Sequence, residues 1–306
     1  MNLIYYSLAT ASGAVQEDQW LQSVRSLRRY NGEVPVHLVI YGALPPRIRS
    51  EAIRSAVTIH QMCDYTEYLR AISKRGALLT KYPTFHKFLS LHQLPTQDVS
   101  QILFLDCDTF FFDDAEKICN LYSSCDWYAR EEPYSRCSHL GYDPGYLNQE
   151  AFEMLLQKEG LEQVLPFNSG VCVLNNRIWD RFDQLRESYL DFVWRLLIGR
   201  QLGMSISGRE RKEIDSTFVN RLTQDDRSRA LPYHSKNPWI IDQIALWMML
   251  GCLRPPVSQG FLERRHVAQN GEIYTAFDKG PRCIVAHYFG NPLSPLNVAN
   301  LIAPAK

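Results

Sequence analysis

The stretch Ile102–Phe112 reads ILFLDCDTFFF, two carboxylates set into an apolar run. Four large apolar residues precede Asp106, and three aromatics follow Thr109. Side chains at i and i+2 of an extended segment share one face, so Asp106 and Asp108 point together and Cys107 points the other way. Bare carboxylates are costly to remove from water, and two side by side repel. A hard divalent cation is the natural third party. An isolated D-x-D is as readily the cap of a following turn, but the apolar flanks argue for a core strand delivering the pair at its C-terminal end. In open α/β sheets that is where ligands bind.

Outward from this strand the chain alternates. LIYYSLA (Leu3–Ala9) reads as a strand, and Trp20, Leu21, Val24 and Leu27 then recur at helical spacing until NGEVP stops the helix. VHLVIYGA (Val36–Ala43) is continuously apolar, as strands buried on both faces tend to be. A short helix PRIRSEAIRSA, a weaker strand VTIHQM and a helix within YPTFHKFLSLHQL follow, with Phe85, Phe88, Leu89 and Leu91 facing inward. This rhythm predicts βαβ units, and so an α/β fold with a mostly parallel sheet flanked by helices. The segment 199–235 breaks the rhythm and reads as a helical insertion that could close over a bound ligand.

Composition narrows the function. Lys+Arg and Asp+Glu are equal at 33 each, so there is no electrostatic argument for nucleic acid or an anionic membrane. None of the eight cysteines forms a C-x-x-C pair, which argues against a structural zinc site. No run reaches the ~18 apolar residues of a transmembrane span, and MNLIYYSLATASG lacks the basic start of a signal peptide. The expected setting is cytoplasmic, with reduced thiols.

Two later segments bear on the carboxylate pair. In LPFNSGVCVLNN (Leu165–Asn176), Asn168, Ser169 and Gly170 lead into an apolar strand, and Gly170 permits a close backbone approach. CIVAHYFGNP (Cys283–Pro292) reads as a strand delivering His287 and then Gly290, whose amide could meet a phosphate. An imidazole beside two carboxylates makes an N/O donor set suited to manganese. NPWIIDQIALWMML opens a very apolar helix, where Asp242 has the ordinary reading of an acidic residue stabilising a helix N-terminus. Trp239 before it could stack on a ligand, or simply pack.

Taken in order, LDCDT, FNSGVCVLN, IIDQIAL and the late HYFG resemble the GT-A nucleotide-sugar glycosyltransferases, most closely the retaining family-8 branch of glycogenin and bacterial galactosyltransferases. LIYYSLATASG is similar to that family's first strand and nucleotide loop, so the resemblance spans almost the whole chain. It implies a single GT-A domain over 1–306, with residues 1–125 as the nucleotide-binding half and 126–306 as the acceptor and catalytic half. It implies that Asp106 and Asp108, with Cys107 between them, form the D-x-D element, and that His287 completes the site for Mn2+ or Mg2+. Leu8, Ala9 and Thr10 would lie along uracil and ribose, Asn168, Ser169 and Gly170 would line the sugar pocket, and Asp242 and Gln243 would lie beneath the donor sugar. The implied activity is transfer of a hexose from a nucleotide diphosphate sugar, UDP by resemblance, to an acceptor hydroxyl with retention. The acceptor is open: a glycan, a lipid, a protein or a small polyol.

The sequence also departs from the family. HYFGNPLSPLN lacks the lysine and Pro-Trp that usually follow the late histidine, and the basic, aromatic membrane-binding tail is absent. Either another cation is then needed for the leaving diphosphate, or the metal does more of the neutralising. Lys81, His86 and Lys87 are candidates, and Lys87 is preferred because Phe85 and Phe88 mark the buried side. Glu131 or Glu132 could reach sugar hydroxyls, and the tyrosines of the irregular loop over 129–148 could meet the acceptor. FLDCDT also matches the D-x-D-x-T of haloacid-dehalogenase-type phosphatases, with Asp106 as nucleophile. That strand normally opens its domain, however, and the later acidic pair of LTQDDRSR, Asp225 and Asp226, follows no apolar run. A non-catalytic GT-A descendant that binds a nucleotide or glycan is the third reading.

Overall fold

The structure is a computed structural model that describes residues 1–9, 14–62, 86–132, 149–161, 164–204, 216–232, 240–269 and 283–288. Its first part is the predicted alternation: β1 (Asn2–Ala9), α1 (Ala14–Tyr30), β2 (Val36–Tyr41), α2 (Pro46–Arg54), β3 (Val57–Met62), α3 (His86–Leu89) and β4 (Gln101–Leu105). Then come β5 (Thr109–Phe111), α4 (Glu116–Leu121), β6 (Trp127–Glu131), α5 (Gln149–Lys158), β7 (Phe167–Asn175), α6 (Phe182–Gln201), α7 (Ser216–Asn220), α8 (Gln224–Ser228) and α9 (Ile241–Cys252). Three short strands follow: β8 (Gln259–Phe261), β9 (Val267–Gln269) and β10 (Val285–His287).

Seven strands form one sheet in the order β3-β2-β1-β4-β7-β6-β8. The pairs β3–β2, β2–β1, β1–β4 and β6–β8 are parallel, while β7 runs antiparallel to both neighbours. The sheet is therefore mostly parallel, as expected. The reversed β7 has no signature in the sequence, because a strand buried on both faces reads the same in either direction.

Alternate residues of the central strands enter two different cores. Leu3 and Tyr5 of β1, Ile102 and Phe104 of β4 and Cys172 and Leu174 of β7 pack with α3, α5, α6 and α9. Ile4 and Tyr6, Leu103 and Leu105, and Val171 and Val173 pack with α1, α4 and the second sheet. Both faces are thus covered, which is why these strands are apolar without alternation. Trp20, Leu21, Val24 and Leu27 are the buried face of α1. α9 is buried nearly all round, packed between β7 and the long α6, and this accounts for the unbroken hydrophobicity of IALWMML. The 199–235 region is helical where described: the end of α6, then α7 and α8.

The second sheet is small but positions the site. β10 pairs antiparallel with β5 and parallel with β9, in the order β5-β10-β9. β5 begins three residues after Asp106, so this sheet ties the end of the described chain to the middle. No described helix is long and apolar enough to cross a membrane. The six described cysteines are free thiols; Cys63 and Cys137 lie outside the described residues.

Candidate functional site

Asp106 follows β4 directly, and its amide donates to Gly170 O at 2.8 Å, extending the β4–β7 ladder by one bond. Opposite β6 the register jumps: Ala129 pairs with Cys172, but Arg130 pairs with Asn168. Ser169, Gly170 and Val171 therefore bulge out of the β6 ladder, and the Asn-Ser-Gly corner is turned toward Asp106. Bulges of this kind commonly re-aim groups beside active sites. Asn168 closes the corner, its Oδ1 accepting from Gly170 N at 2.9 Å.

His287 is delivered by strand pairing across a long sequence separation. It lies opposite Thr109 in the β10–β5 register, and Tyr288 N donates to Asp108 O at 2.9 Å. Its Nε2 sits 3.2 Å from Asp108 Oδ1 and 3.6 Å from Asp106 Oδ2. One donor atom from each of Asp106, Asp108 and His287 falls within 4.8 Å of the others, so the three sequence-predicted ligands converge. The imidazole lies flat against Gly170, where an added Cβ would stand 2.0 Å from the ring. The close approach that Gly170 permits is thus made by His287.

Electrostatics reinforce the convergence. Burial alone would push the His287 imidazole down, but the Asp108 and Asp106 carboxylates beside it hold it above the ordinary histidine range. Burial would push Asp108 up, and the His287 ring draws it below the usual carboxylate range instead. Asp108 Oδ1 is buried and accepts no hydrogen bond from the described residues. A buried carboxylate oxygen, a second carboxylate and an imidazole nitrogen at these separations fit a hard or borderline divalent cation. Cys107 faces away: its thiol is directed to Ser7 O at 3.4 Å, and burial first, then Asp106, pushes its pKa far up. It serves as a small buried hydrophobe that joins the pair to β1.

A cation and a second polar pair border the three ligands. Lys87 Nζ lies 2.7 Å from Asp106 and 3.9 Å from Asp242 Oδ2, with its side chain a quarter exposed. Burial pulls the ammonium down, and the Asp106 and Asp242 carboxylates more than reverse that. Tyr5 OH donates to Lys87 O at 2.9 Å, and Tyr41 OH bonds Ser90, so two strands anchor this helical turn. Asp242 and Gln243 project from the first turn of α9. Burial raises Asp242 to about 6 against the counter-pull of Lys87. Gln243 Oε1 accepts from Ser169 N at 3.2 Å, while its buried Nε2 has no hydrogen-bond partner among the described residues.

The other candidates separate clearly. Leu8 and Ala9 end β1 beside the site, but Leu8 is packed into the core, so only its backbone can meet a ligand. Glu131 is exposed and Glu132 buried. Asp226 belongs to a capping box with Thr223 on α8 and accepts from Trp194 Nε1 at 3.0 Å, a structural use of the second acidic pair. Thr10, Gly290, Trp239, Lys81 and the loop 133–148 lie outside the described residues, as does the side chain of His86. Two residues bound to the site escaped the sequence reading: Thr109, whose Oγ1 donates to Asp106 O at 2.9 Å, and Ser23, 2.8 Å from Thr109 Oγ1. The available signal was a serine on the buried side of α1, between Trp20 and Leu27.

No protein-family model matches the sequence, and no curated protein matches it. Solved structures do. The galactosyltransferase LgtC, in complex with donor and acceptor sugar analogs, aligns with a TM-score of 0.54 at 13% identity, over 98% of this chain and 95% of its own. An active-site glutamine-to-glutamate mutant of LgtC aligns at 0.51 and 12% identity, over 98% and 95%. Mouse xyloside xylosyltransferase 1, in its apo form, aligns at 0.51 and 14% identity, over 96% and 100%. At such low identity the likeness speaks for the fold. This chain has the GT-A glycosyltransferase fold, resembles family 8 in it, and brings an Asp-Asp-His group together at the end of its fourth strand.

Proposed function

We propose that the protein is a metal-dependent glycosyltransferase that moves a hexose from a nucleotide diphosphate sugar, UDP by preference, to an acceptor hydroxyl with retention. One observation carries this reading: His287, from far along the chain, converges on Asp106 and Asp108 with ligand atoms within 4.8 Å, beside Lys87 and Asp242 on a GT-A sheet. Asp106, Asp108 and His287 would hold Mn2+ or Mg2+, which when bound supplies Lewis-acid stabilisation of the leaving diphosphate.

The chain's own residues account for the rest. Cleavage of a sugar–pyrophosphate bond leaves an anion and an oxocarbenium-like sugar. Lys87 is the described cation nearest the pair and takes the role of the lysine missing after His287, against the diphosphate. Asp242, with a pKa of about 6, is ionised at neutral pH and faces the positive side of the transition state. Two routes to retention fit. Asp242 attacks as a transient nucleophile, or the acceptor attacks from the leaving-group side while Gln243 stabilises the sugar. The unpartnered Nε2 of Gln243 supports a ligand contact from that side chain, since a buried amide left unsatisfied is costly. Residues 1–125 would bind the nucleotide, and residues 126–306 the acceptor, which is a glycan, lipid, protein or polyol.

The test is donor hydrolysis with UDP-glucose, UDP-galactose and GDP-sugars, with and without Mn2+. The expected result is metal-dependent release of UDP, lost by roughly 10²–10⁴-fold in Asp108→Asn, since Lewis-acid stabilisation is worth several kcal/mol. No turnover of any donor by a protein that binds Mn2+ would leave the non-catalytic reading. Phosphate release from p-nitrophenyl phosphate without a nucleotide sugar would leave the phosphatase one.

A further inference from the structure

Behind the carboxylate pair lies a line of buried hydroxyls from three elements. Tyr6 of β1 and Ser23 of α1 are fully buried, and Thr109 at the start of β5 is 3% exposed. Tyr6 OH lies 2.8 Å from Ser23 Oγ, Ser23 Oγ lies 2.8 Å from Thr109 Oγ1, and Thr109 Oγ1 lies 2.9 Å from Asp106 O. The direction of the line follows from counting hydrogens. A hydroxyl has one proton to donate. Thr109 commits its proton to the Asp106 carbonyl, which can only accept. Ser23 must then donate to Thr109, and Tyr6 to Ser23. All three dipoles therefore point the same way and polarise one another toward the ligand residue. A second staple runs in parallel: Ser26 Oγ donates to Ser23 O at 2.7 Å and accepts from Phe111 N at 2.9 Å. Helix α1 thus holds both the turn after β4 and β5, the strand against which the His287 strand pairs.

We infer that Tyr6, Ser23 and Thr109 are positioning residues for the divalent cation, a directed hydroxyl relay that fixes the backbone between Asp106 and Asp108. This rests on the proposed metal site and adds to it. Thr109 is the hinge: its side chain fixes the Asp106 carbonyl, while its backbone lies opposite His287 across β5–β10. Losing its hydroxyl frees the peptide whose two flanking carboxylates must converge. Core packing alone would not require this. A valine at 109 and a phenylalanine at 6 have nearly the same shape, and replacing both partners of a buried hydrogen bond by apolar groups of the same shape can be nearly neutral.

The test is a Mn2+ titration of the purified chain, reading free Mn2+ by electron paramagnetic resonance, with thermal unfolding of each variant alongside. Thr109→Val should raise the Mn2+ Kd about tenfold, in the range lost when outer-shell partners of a metal ligand are removed. Ser23→Ala should raise it by less and Tyr6→Phe by least, because each lies one bond further from Asp106. Thr109→Ser, which keeps the hydroxyl, should restore nearly the parent affinity even if its Tm falls for want of the methyl. If Thr109→Val and Ser23→Ala lower Tm but leave the Kd at the parent value, the relay is structural only and the inference fails while the metal site stands. If the parent chain binds neither Mn2+ nor Mg2+, the inference and the metal-dependent reading fall together.

Discussion

The two sides of the β4–β7 seam are built differently. On one side, β3, β2, β1 and β4 are parallel; β1 meets β2 and β2 meets β3 across one helix each, while β1 reaches on to β4, Asn2 opposite Gln101. On the other, β7 is antiparallel, β6 carries the register jump, and α9 and β10 arrive from residues a hundred or more positions beyond Asp106. The first side contributes Asp106, Asp108 and Lys87. The second contributes Asn168–Gly170, Asp242, Gln243 and His287. Asp106 and Asp108 sit two residues apart at one strand end, so bringing them together closes no loop; the third ligand comes from far along the chain and must be held by a long-range strand pairing, β10 on β5. The site is therefore a joint between a self-sufficient half and a dependent one.

The largest effect expected from the dependent half is at Asp242. Asp242→Asn should lower kcat for donor hydrolysis by about 10²–10³-fold, the scale of a single electrostatic contact to a developing charge, with little change in KM. Stability should move the other way. The folded carboxyl titrates near 6 and the unfolded one near 3.9. Between those values the folded state binds more protons, so stability is highest below about pH 4 and falls as pH rises through 6. At pH 7.5 the amide, which carries no charge to bury, should be more stable by about 3 kcal/mol, with a higher Tm. If Asp242 were only a helix-terminus residue, the substitution would lower Tm and spare kcat.

That opposition explains how much could be read from the sequence. Asp106 and Asp108 were legible because period-2 geometry places them on one face and apolar flanks fix them to a strand. The order β1–α1–β2–α2–β3 was legible because each element carries its own periodicity. β5 and β9 were not, since three residues carry no period and their partners alone define them; β10 was read in CIVAHYFGNP, but its pairing with β5 was not. The reversed β7 and the 20-residue α6, buried through Leu185, Tyr189, Val193 and Leu197, were equally silent. Asp242 was given its role beneath the donor sugar through family resemblance, since taken alone it reads as a helix cap; His287 was proposed from its own strand, and the resemblance made it the third ligand. The meaning of Gly170 lay in a ring over a hundred residues away.

Gly170 is the next test, at the seam itself. In Gly170→Ala the new Cβ would stand 2.0 Å from the His287 ring, so the imidazole must leave its position. Mn2+ affinity should fall on the order of 30-fold, as when a ligand's orientation is lost, and overpacking should cost about 1–3 kcal/mol of stability. Gly170→Ala combined with His287→Ala should bind metal no worse than His287→Ala alone, because the clash and the ligand then vanish together. Additive losses in the double variant would show that Gly170 serves the site by another route.

The smallest effect belongs to the self-sufficient half and should leave the chemistry alone. On the outer strands His37 Nδ1 and His60 Nε2 are 2.8 Å apart, with their rings stacked at 5.1 Å. Burial first, and then the neighbouring His60, depress His37 to about 4. Between that value and the unfolded histidine near 6.5, the unfolded state binds the extra proton. Stability from this pair is therefore complete above about pH 6.5 and is lost as pH falls through 4, by about 3 kcal/mol in all. His37→Gln should flatten the fall of Tm between pH 6.5 and 4.5 relative to the parent, while donor hydrolysis at pH 7.5 stays within about twofold. Parallel Tm profiles for the two proteins would mean that His37 is as easily protonated in the folded chain as in the unfolded one. A large loss of turnover would mean that the first half is not independent of the joint, because strain at its outer edge would then reach Asp106 through β2 and β1.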